Sequence, residues 1–284
     1  MPFKIKRKYK VNSVIFHWLN YFYYRFLIKC DYSKTVSIII ACKNAEKTIL
    51  QTLNGLENQT YKNIEIIVIN DGSTDNSLNL INNYINSSNL DITIKNLTES
   101  KGAANARNIG INLAKGFYIC FNDADDISHK RRIEFQVKAL QKSSKRIFSE
   151  CLYFRTYKGK QIAINGKKFL LCIISMMFER DTVLAELGGM ADISYAEDSE
   201  FRERMIANFG DESGKIIYFP LYKANFSPDS CYFSGVDELS FNQEEVKFKI
   251  PERKELEYLR EKWHNEIRAK KLSAHLRDKP EFNS

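Results

Sequence analysis

Phe117-Tyr118-Ile119-Cys120-Phe121-Asn122-Asp123-Ala124-Asp125-Asp126 is an apolar strand that runs straight into three carboxylates. Carboxylates this close repel one another, and a chain keeps them at a strand end where a hard divalent cation or a run of donors neutralises them. Working outward, the upstream sequence alternates short apolar runs with helical periods. Residues 36–41, 64–69 and 91–94 read as strands. Between them lie helical patterns carrying Ile49, Leu50, Leu53 and Leu56, then Leu78, Leu80, Ile81 and Ile85, then residues 103–114. This β-α-β-α order predicts an α/β protein with a mostly parallel sheet and helices on both faces. Ligands of such sheets bind beyond the carboxyl ends of the strands. Those ends carry Ala41-Cys42-Lys43-Asn44, Asn70-Asp71-Gly72-Ser73 and Asp123-Ala124-Asp125-Asp126, so three polar clusters are expected on one rim.

Downstream of the acids a helix is expected over residues 130–141, then strands over 146–154 and 161–164. A second apolar run, 169–178, leads into a helix that ends at Gly188-Gly189. The segment Ala196-Glu197-Asp198-Ser199-Glu200 reads as the start of an N-capped helix, with acids in its first turn. Beyond residue 240 the chain is charge-rich, and Leu256, Tyr258, Leu259, Trp263 and Ile267 fall at helical spacing, so a surface helix is expected. The division this predicts is a basic amphipathic segment over 1–34, a catalytic domain over 35–235 and a charged helical extension over 236–284.

The formal charge of +8 is uneven: residues 1–30 hold Lys4, Lys6, Arg7, Lys8, Lys10, Arg25 and Lys29 and no acid. In the same segment Val14, Ile15, Trp18, Leu19, Phe22 and Phe26 recur at helical spacing, joined by Tyr21, Tyr23 and Tyr24. His17, Asn20 and Arg25 interrupt the run, so a membrane span is not expected, and the absence of an A-x-A site disfavours a signal peptide. Two readings stand, an interfacial helix attracted to anionic lipid and a helix packed on the protein's own surface. The basic residues form no stripe interleaved with readout side chains, so nucleic acid is not an expected partner. The six cysteines include no C-x-x-C pair and read as reduced thiols of a cytosolic protein.

Asp71-Gly72-Ser73-Thr74-Asp75 follows a strand and precedes a helix. As a turn, Gly72 permits the bend and Ser73 or Thr74 caps the helix; as a site, Asp71 accepts the N3–H of a uracil ring. The glycines of Lys101-Gly102-Ala103-Ala104-Asn105-Ala106-Arg107-Asn108-Ile109-Gly110 fit neither G-x-G-x-x-G nor the P-loop, which disfavours a nicotinamide or P-loop enzyme. Arg107 either reaches a phosphate or ribose or lies on the helix surface.

Taken at their separations, Val36-Ser37-Ile38-Ile39-Ile40, Ile69-Asn70-Asp71-Gly72-Ser73-Thr74-Asp75, Asn105-Ala106-Arg107-Asn108-x-Gly110 and Asp123-Ala124-Asp125-Asp126 resemble the family 2 glycosyltransferases of GT-A (Rossmann-like) fold. Phe178-x-Arg180, Gly188-Gly189 and Glu197-Asp198-x-Glu200-Phe201-x-x-Arg204 agree with it, so the resemblance covers about residues 35–225. It implies that Asp71 and the Ala41 strand end with Lys43 hold the uracil of a UDP-sugar. Asp123, Ala124 and Arg107 would approach the ribose or phosphates, and Asp125 with Asp123 would bind a Mn²⁺ or Mg²⁺ that bridges the diphosphate. A hard cation there neutralises the charge gathered by the leaving diphosphate. Asp198 takes the place of the general base, with Glu197 the other holder of that role. Base and metal on opposite sides of the anomeric carbon imply in-line displacement with inversion.

The enzyme so implied is a hexosyl- or N-acetylhexosaminyltransferase of bacterial-type surface polysaccharide synthesis. It would act on a glycan or lipid-linked glycan acceptor, in the cytoplasm at the inner face of the cell membrane. The chain departs from the family pattern at Ala41 and Lys43, where members carry proline and tyrosine, and in having no histidine between residues 215 and 233. Asp126 is a helix cap or a ligand; His129 is a helix-start residue or a substitute ligand. Two other classes compete. A metal-dependent nucleotidyltransferase would want a glycine-rich basic loop after the first strand, and residues 41–45 hold no glycine. A non-catalytic sugar-nucleotide or membrane scaffold would tolerate loss of Asp198.

Overall fold

The computed structural model describes residues 14–193, 196–226, 237–242, 244–249, 254–269 and 273–275. A helix α1 (Val14–Phe22) runs into one π-helical turn (Tyr23–Leu27). The regular alternation follows: β1 (Val36–Cys42), α2 (Ile49–Glu57), β2 (Ile64–Asp71), α3 (Ser77–Ser87), β3 (Asp91–Leu97), α4 (Ala103–Leu113) and β4 (Tyr118–Phe121). These four strands are parallel in the order β3-β2-β1-β4, with Val36 paired to Ile64 on one side and to Tyr118 on the other. β2 is buried along its whole length and β1 along nearly all of it, because helices cover both faces of the sheet.

The alternation of side chains along β1 sorts the two cores. Ile38 and Ile40 join Leu53, Leu56, Ile81, Ile133 and Val137 on one face. Ile39 joins Ile67, Ile69, Ile111, Val183, Phe201 and Trp263 on the other. Each such side chain contributes about 1.5–3 kcal/mol by leaving water.

After β4 come β5 (Ile127–Ser128), α5 (Arg132–Gln141), β6 (Phe148–Tyr157), β7 (Lys160–Ile164), β8 (Leu170–Glu179), α6 (Arg180–Leu187), α7 (Glu197–Phe209) and β9 (Gly214–Asn225). β8 extends the sheet antiparallel to β4, β6 follows, and β9 pairs with both β6 and β5. Pairing of Ile127 with Lys223 and Ser128 with Tyr222 fixes the far end of the loop that carries the acids.

The carboxyl-terminal region differs from the expected purely helical extension. β10 (Asp237–Phe241) and β11 (Glu245–Lys249) form an antiparallel pair, and β11 joins β7, with Glu245 beside Ala163. Val246 is buried and Lys247 exposed, an alternation of period two that the surrounding charges masked in the sequence. α8 (Lys254–Arg268) packs on α7 and buries Trp263, His264 and Ile267. At the other end α1 rests on β9: His17 Nδ1 lies 2.7 Å from the Tyr218 carbonyl, and Asn20 Oδ1 accepts the Tyr218 N–H at 3.1 Å. The described cysteines, 30, 42, 120, 151 and 172, are free thiols; Cys231 lies outside the described residues.

Candidate active site

The loop 122–126 leaves β4 at the rim and is fastened from several elements. Arg132 of α5 is fully buried, and its Nη2 donates to the Phe121 carbonyl at 2.6 Å and the Ser175 carbonyl at 3.1 Å. Its Nη1 donates to Asn122 Oδ1 and Ser128 Oγ, both at 2.8 Å, so one guanidinium holds both ends of the loop. Thr48 and Thr52 of the α2 region donate to the Ala124 carbonyl at 3.1 and 2.9 Å. From β9, the Tyr222 hydroxyl accepts the Asp123 N–H at 2.8 Å and Asn225 Nδ2 donates to the Asp125 carbonyl at 3.2 Å. With the backbone satisfied in this way, the side chains of the acids are left to meet.

Asp123, Asp125 and Asp126 each offer a carboxylate oxygen within 4.8 Å of the others. Asp126 is buried, Asp123 half-buried and Asp125 exposed. Burial and then the charges of Asp123 and Asp125 push the Asp126 carboxyl well up. Partial desolvation and then Asp123 raise that of Asp125. Three hard oxygen donors whose like charges oppose one another are a donor set suited to Mg²⁺ or Mn²⁺. Asp126 thus lies beside Asp123 and Asp125, the expected ligand pair, and it does not cap α5, which begins six residues later. His129 stands outside the cluster: its carbonyl accepts the Arg132 N–H at 2.8 Å, at the start of α5, and its Nδ1 accepts the Arg131 N–H at 3.2 Å. Burial, with Lys130 and Arg131 adding, lowers its pKa.

Arg107 is buried rather than on the helix surface. Its Nη2 lies 2.9 Å from Asp123 Oδ1 and its Nη1 2.6 Å from Glu197 Oε1. Burial opposes its charge, but Asp123, Glu197 and Asp198 together outweigh burial and strengthen it. A planar fork is what lets one side chain bond to two elements at once. The acid loop and the first turn of α7 are consequently tied to each other through one guanidinium. Burial, then the charge of Glu197, raises the Asp198 carboxyl, while Arg107 and the Ser199 N–H, which donates to Asp198 Oδ1 at 2.7 Å, pull it back. Ala196, just before these acids, has φ of 56°, a left-handed conformation that costs a residue with Cβ about 1–2 kcal/mol.

Asp71 ends β2 and is buried. Its carboxylate accepts hydrogen bonds from Ser100 Oγ at 2.7 Å, Lys101 N–H at 2.7 Å and Gly102 N–H at 3.0 Å. It thereby fastens the start of α4, the helix that carries Arg107, and keeps one of its roughly four lone-pair directions. Gly72, at φ of +64°, has no room for a Cβ, which would lie 2.6 Å from the Ser100 nitrogen. Neither Ser73 nor Thr74 caps α3 as expected: Asn76 holds the N-cap position without a side-chain hydrogen bond, and Asp75, just before it, accepts the Ser77 N–H through Oδ1 at 3.0 Å. Ser73 and Thr74 bond to Asn44 instead, tying the two strand-end loops together. Ala41 is half-buried in β1 and Lys43 is exposed beside that tie, while Ala124 is buried within the acid loop.

Several site-building residues carried no signal in local spacing. Tyr222 and Asn225 reach the acid loop from about 100 residues away, and Glu150 on β6 binds Arg202 of α7. Arg132 and Gln136, one helical turn apart, could have been read as a polar face on an otherwise buried helix. Asn108 donates to the Met190 carbonyl and accepts the Met190 N–H, and so locks the Gly188-Gly189 loop to α4.

The sequence between residues 37 and 194 matches the family model for Glycosyl transferase family 2. The chain is 44% identical over 131 residues, 46% of its length and 49% of the relative, to the UDP-Glc:alpha-D-GlcNAc-diphosphoundecaprenol beta-1,3-glucosyltransferase WfaP of Escherichia coli. It is 38% identical over 108 residues, 37% of its length and 36% of the relative, to the amylovoran biosynthesis glycosyltransferase AmsB of Erwinia amylovora. The match thus spans half or less of these relatives. Among solved structures, S. aureus TarS 1-349 in complex with UDP-GlcNAc superposes with a TM-score of 0.57 at 19% identity, covering 72% of this chain and 62% of that one. The mannosyltransferase PcManGT from Pyrobaculum calidifontis, in complex with GDP-Man and Mn²⁺, superposes with a TM-score of 0.52 at 20% identity, covering 90% and 70%. At those identities the likeness is one of fold, whereas the family match covers more than half of the sequence: the chain belongs to glycosyl transferase family 2.

Proposed function

We propose that this chain is an inverting glycosyltransferase that moves a hexose or N-acetylhexosamine from a UDP-sugar to a hydroxyl of a glycan or lipid-linked glycan, at the cytoplasmic face of the membrane. The observation that carries the reading is Arg107 bonded at once to the acid loop and to the first turn of α7, because it gathers the acids read as donor-binding and those read as base around one guanidinium. The relative WfaP, whose name records a UDP-Glc donor, a lipid diphosphate acceptor and a β product, supports the same donor and acceptor classes. Family membership replaces the nucleotidyltransferase alternative.

In this reading Asp125 and Asp123, with Asp126 beside them, hold Mn²⁺ or Mg²⁺, which when bound offsets the negative charge of the leaving diphosphate. Asp71 uses its remaining lone-pair direction for the uracil N3–H, next to Ala41 and Lys43. Arg107 and the Ala124 stretch orient the ribose and phosphates. Asp198 takes the proton from the acceptor hydroxyl; its raised pKa makes it a stronger base than an ordinary carboxylate, and the adjacent Glu197, engaged by Arg107, holds the charge balance. Attack from the Asp198 side while the diphosphate leaves toward the acid loop inverts the anomeric centre.

The test is a panel of UDP- and GDP-sugars, scored for Mn²⁺-dependent hydrolysis and thermal stabilisation of the protein. A response confined to UDP-sugars and lost with Asp125→Ala is expected. Stabilisation by another nucleotide with none by any UDP-sugar would overturn the Asp71 assignment, and full transfer by Asp198→Asn would overturn the base.

A further inference from the structure

α1 and the turn that follows divide their side chains between two opposite surfaces. His17, Asn20, Tyr21 and Tyr24 face the domain: Tyr24 is buried against Phe135, and the Tyr21 ring meets Phe219 at 4.7 Å and Phe135 at 5.2 Å. Val14, Ile15, Leu19, Phe22 and Phe26 face away, and Trp18, whose ring meets Phe219 edge-on at 5.8 Å, lies at their border; each of the six is between 52% and 71% exposed. At 3.6 residues per turn, positions 14, 15, 18, 19 and 22 fall within one arc of about 140°, and 17, 20 and 21 fall in a separate arc of about 100°. A continuous ridge of this kind on a small domain marks a docking surface, in contrast to single exposed apolar residues.

The charge of the sequence around the ridge selects its occupant. Residues 1–30 hold seven lysines and arginines and no acid. Two copies brought face to face would set these charges against each other, whereas an anionic headgroup layer would attract them. The exposed aromatic residues, Trp18 above all, are of the type that settles at a membrane interface. No helix among the described residues is long and apolar enough to cross a membrane, so the ridge would lie in the interface plane.

The ridge is also coupled to the acid loop. β9 binds α1 at Tyr218 and reaches Asp123 through the Tyr222 hydroxyl. Four residues of extended strand separate the two, about 13 Å. The Tyr21 ring meets His129, three residues beyond Asp126, edge-on at 6.1 Å.

We propose that the outward face of α1 and its following turn inserts into the headgroup layer of an anionic lipid bilayer and so holds the acid loop close to the membrane surface. The proposal builds on the membrane placement given above and specifies the surface that achieves it; it is independent of the identity of the donor.

The experiment uses the full chain with phosphatidylglycerol-containing and pure phosphatidylcholine vesicles, read by co-sedimentation and tryptophan emission. Trp263 is 1% exposed, so a blue shift on adding vesicles reports Trp18. Wild-type protein is expected to sediment with anionic vesicles and shift its emission. The variant Ile15→Ser/Leu19→Ser/Phe26→Ser should lose about tenfold or more in partitioning while its melting temperature and Mn²⁺-dependent UDP-sugar hydrolysis in solution stay unchanged. Replacing Lys4, Lys6, Arg7, Lys8 and Lys10 by glutamine should lower the preference for anionic over neutral lipid. Three results overturn the proposal: no sedimentation and no emission shift with either lipid, undiminished binding by the triple-serine variant, or self-association that this variant abolishes in a protein that ignores vesicles. Absence of UDP-sugar hydrolysis with intact vesicle binding would strike the donor reading alone.

Discussion

Glu150→Gln probes an electrostatic cost set beneath the helix that carries Asp198. Glu150 is fully buried on β6 and accepts Arg202 Nε at 2.8 and 2.9 Å through its two oxygens. Burial nonetheless pushes its carboxyl up to about 7, with Arg202 opposing and the charge of Asp198 adding. In the unfolded chain the same group titrates near its ordinary 4.5. Between these values the folded state holds the extra proton, so stability falls as pH rises from about 4.5 to about 7 and the cost is complete above that. The full interval corresponds to about 3 kcal/mol. Glutamine does not titrate, keeps an oxygen for Arg202, and leaves an arginine that is itself 19% exposed in reach of water. Urea unfolding of wild type and variant at pH 5 and pH 8, with matching m-values, gives the comparison. The variant should gain about 2 kcal/mol relative to wild type between the two pH values. A difference that is flat with pH, or that moves the other way, would show that Glu150 is ionised throughout and refute the argument.

Asp125→Ala should remove Mn²⁺-dependent donor binding in calorimetry. Asp198→Asn should bind donor near normally while transfer drops by about 10²–10⁴, and equal loss of donor affinity in both would contradict the division of roles. Because the raised Asp198 must be deprotonated to act, the rate of transfer should rise with pH through a value above the ordinary carboxylate range; a rate independent of pH across that range would exclude it. Arg132→Met should destabilise the protein by about 3–5 kcal/mol in denaturant titration, since it leaves the acceptors of a buried cation unpaired at both ends of the acid loop. Gly189→Ala should cost about 1–3 kcal/mol, because the new Cβ would strike an Asn108 side chain pinned by two hydrogen bonds; the double variant with Asn108→Ala should recover part of it.

The parallel half of the fold was legible because its signals are local. Apolar runs at 36–41 and 64–69, helical periods between them and polar residues at each strand end name the elements and the rim together. The acids were legible for the same reason, as like charges rarely crowd without a partner. What local pattern concealed was partnership. Arg107 could be read as a surface side chain because nothing near it in sequence reveals that Asp123 and Glu197 close over it. Asp126 was ambiguous because a cap and a ligand look alike until the burial around them is known. β10 and β11 were hidden by charge: the acids and lysines in these two short segments dilute the apolar alternation that marks a strand.

The contacts that make the site are long in sequence, and this sets where its functional boundary falls. Arg107 meets Glu197 across 90 residues, and the Asp123 N–H meets the Tyr222 hydroxyl across 99. The family match stops at residue 194, before either partner. A chain cut there would keep β1 to β4 and the acid loop but would leave Arg107 with Asp123 alone and the Asp123 N–H without its acceptor. It would also lack α7, whose Arg204 holds the Leu187 and Gly189 carbonyls at 2.6 and 2.8 Å and so keeps the Gly188-Gly189 loop in place. Loop closure over such separations is recovered only when the distant elements dock, so the site assembles together with β9 and α7 or not at all. The segment past residue 194 is therefore part of the same folded unit as the acid loop, although the family's most recognisable sequence lies before it.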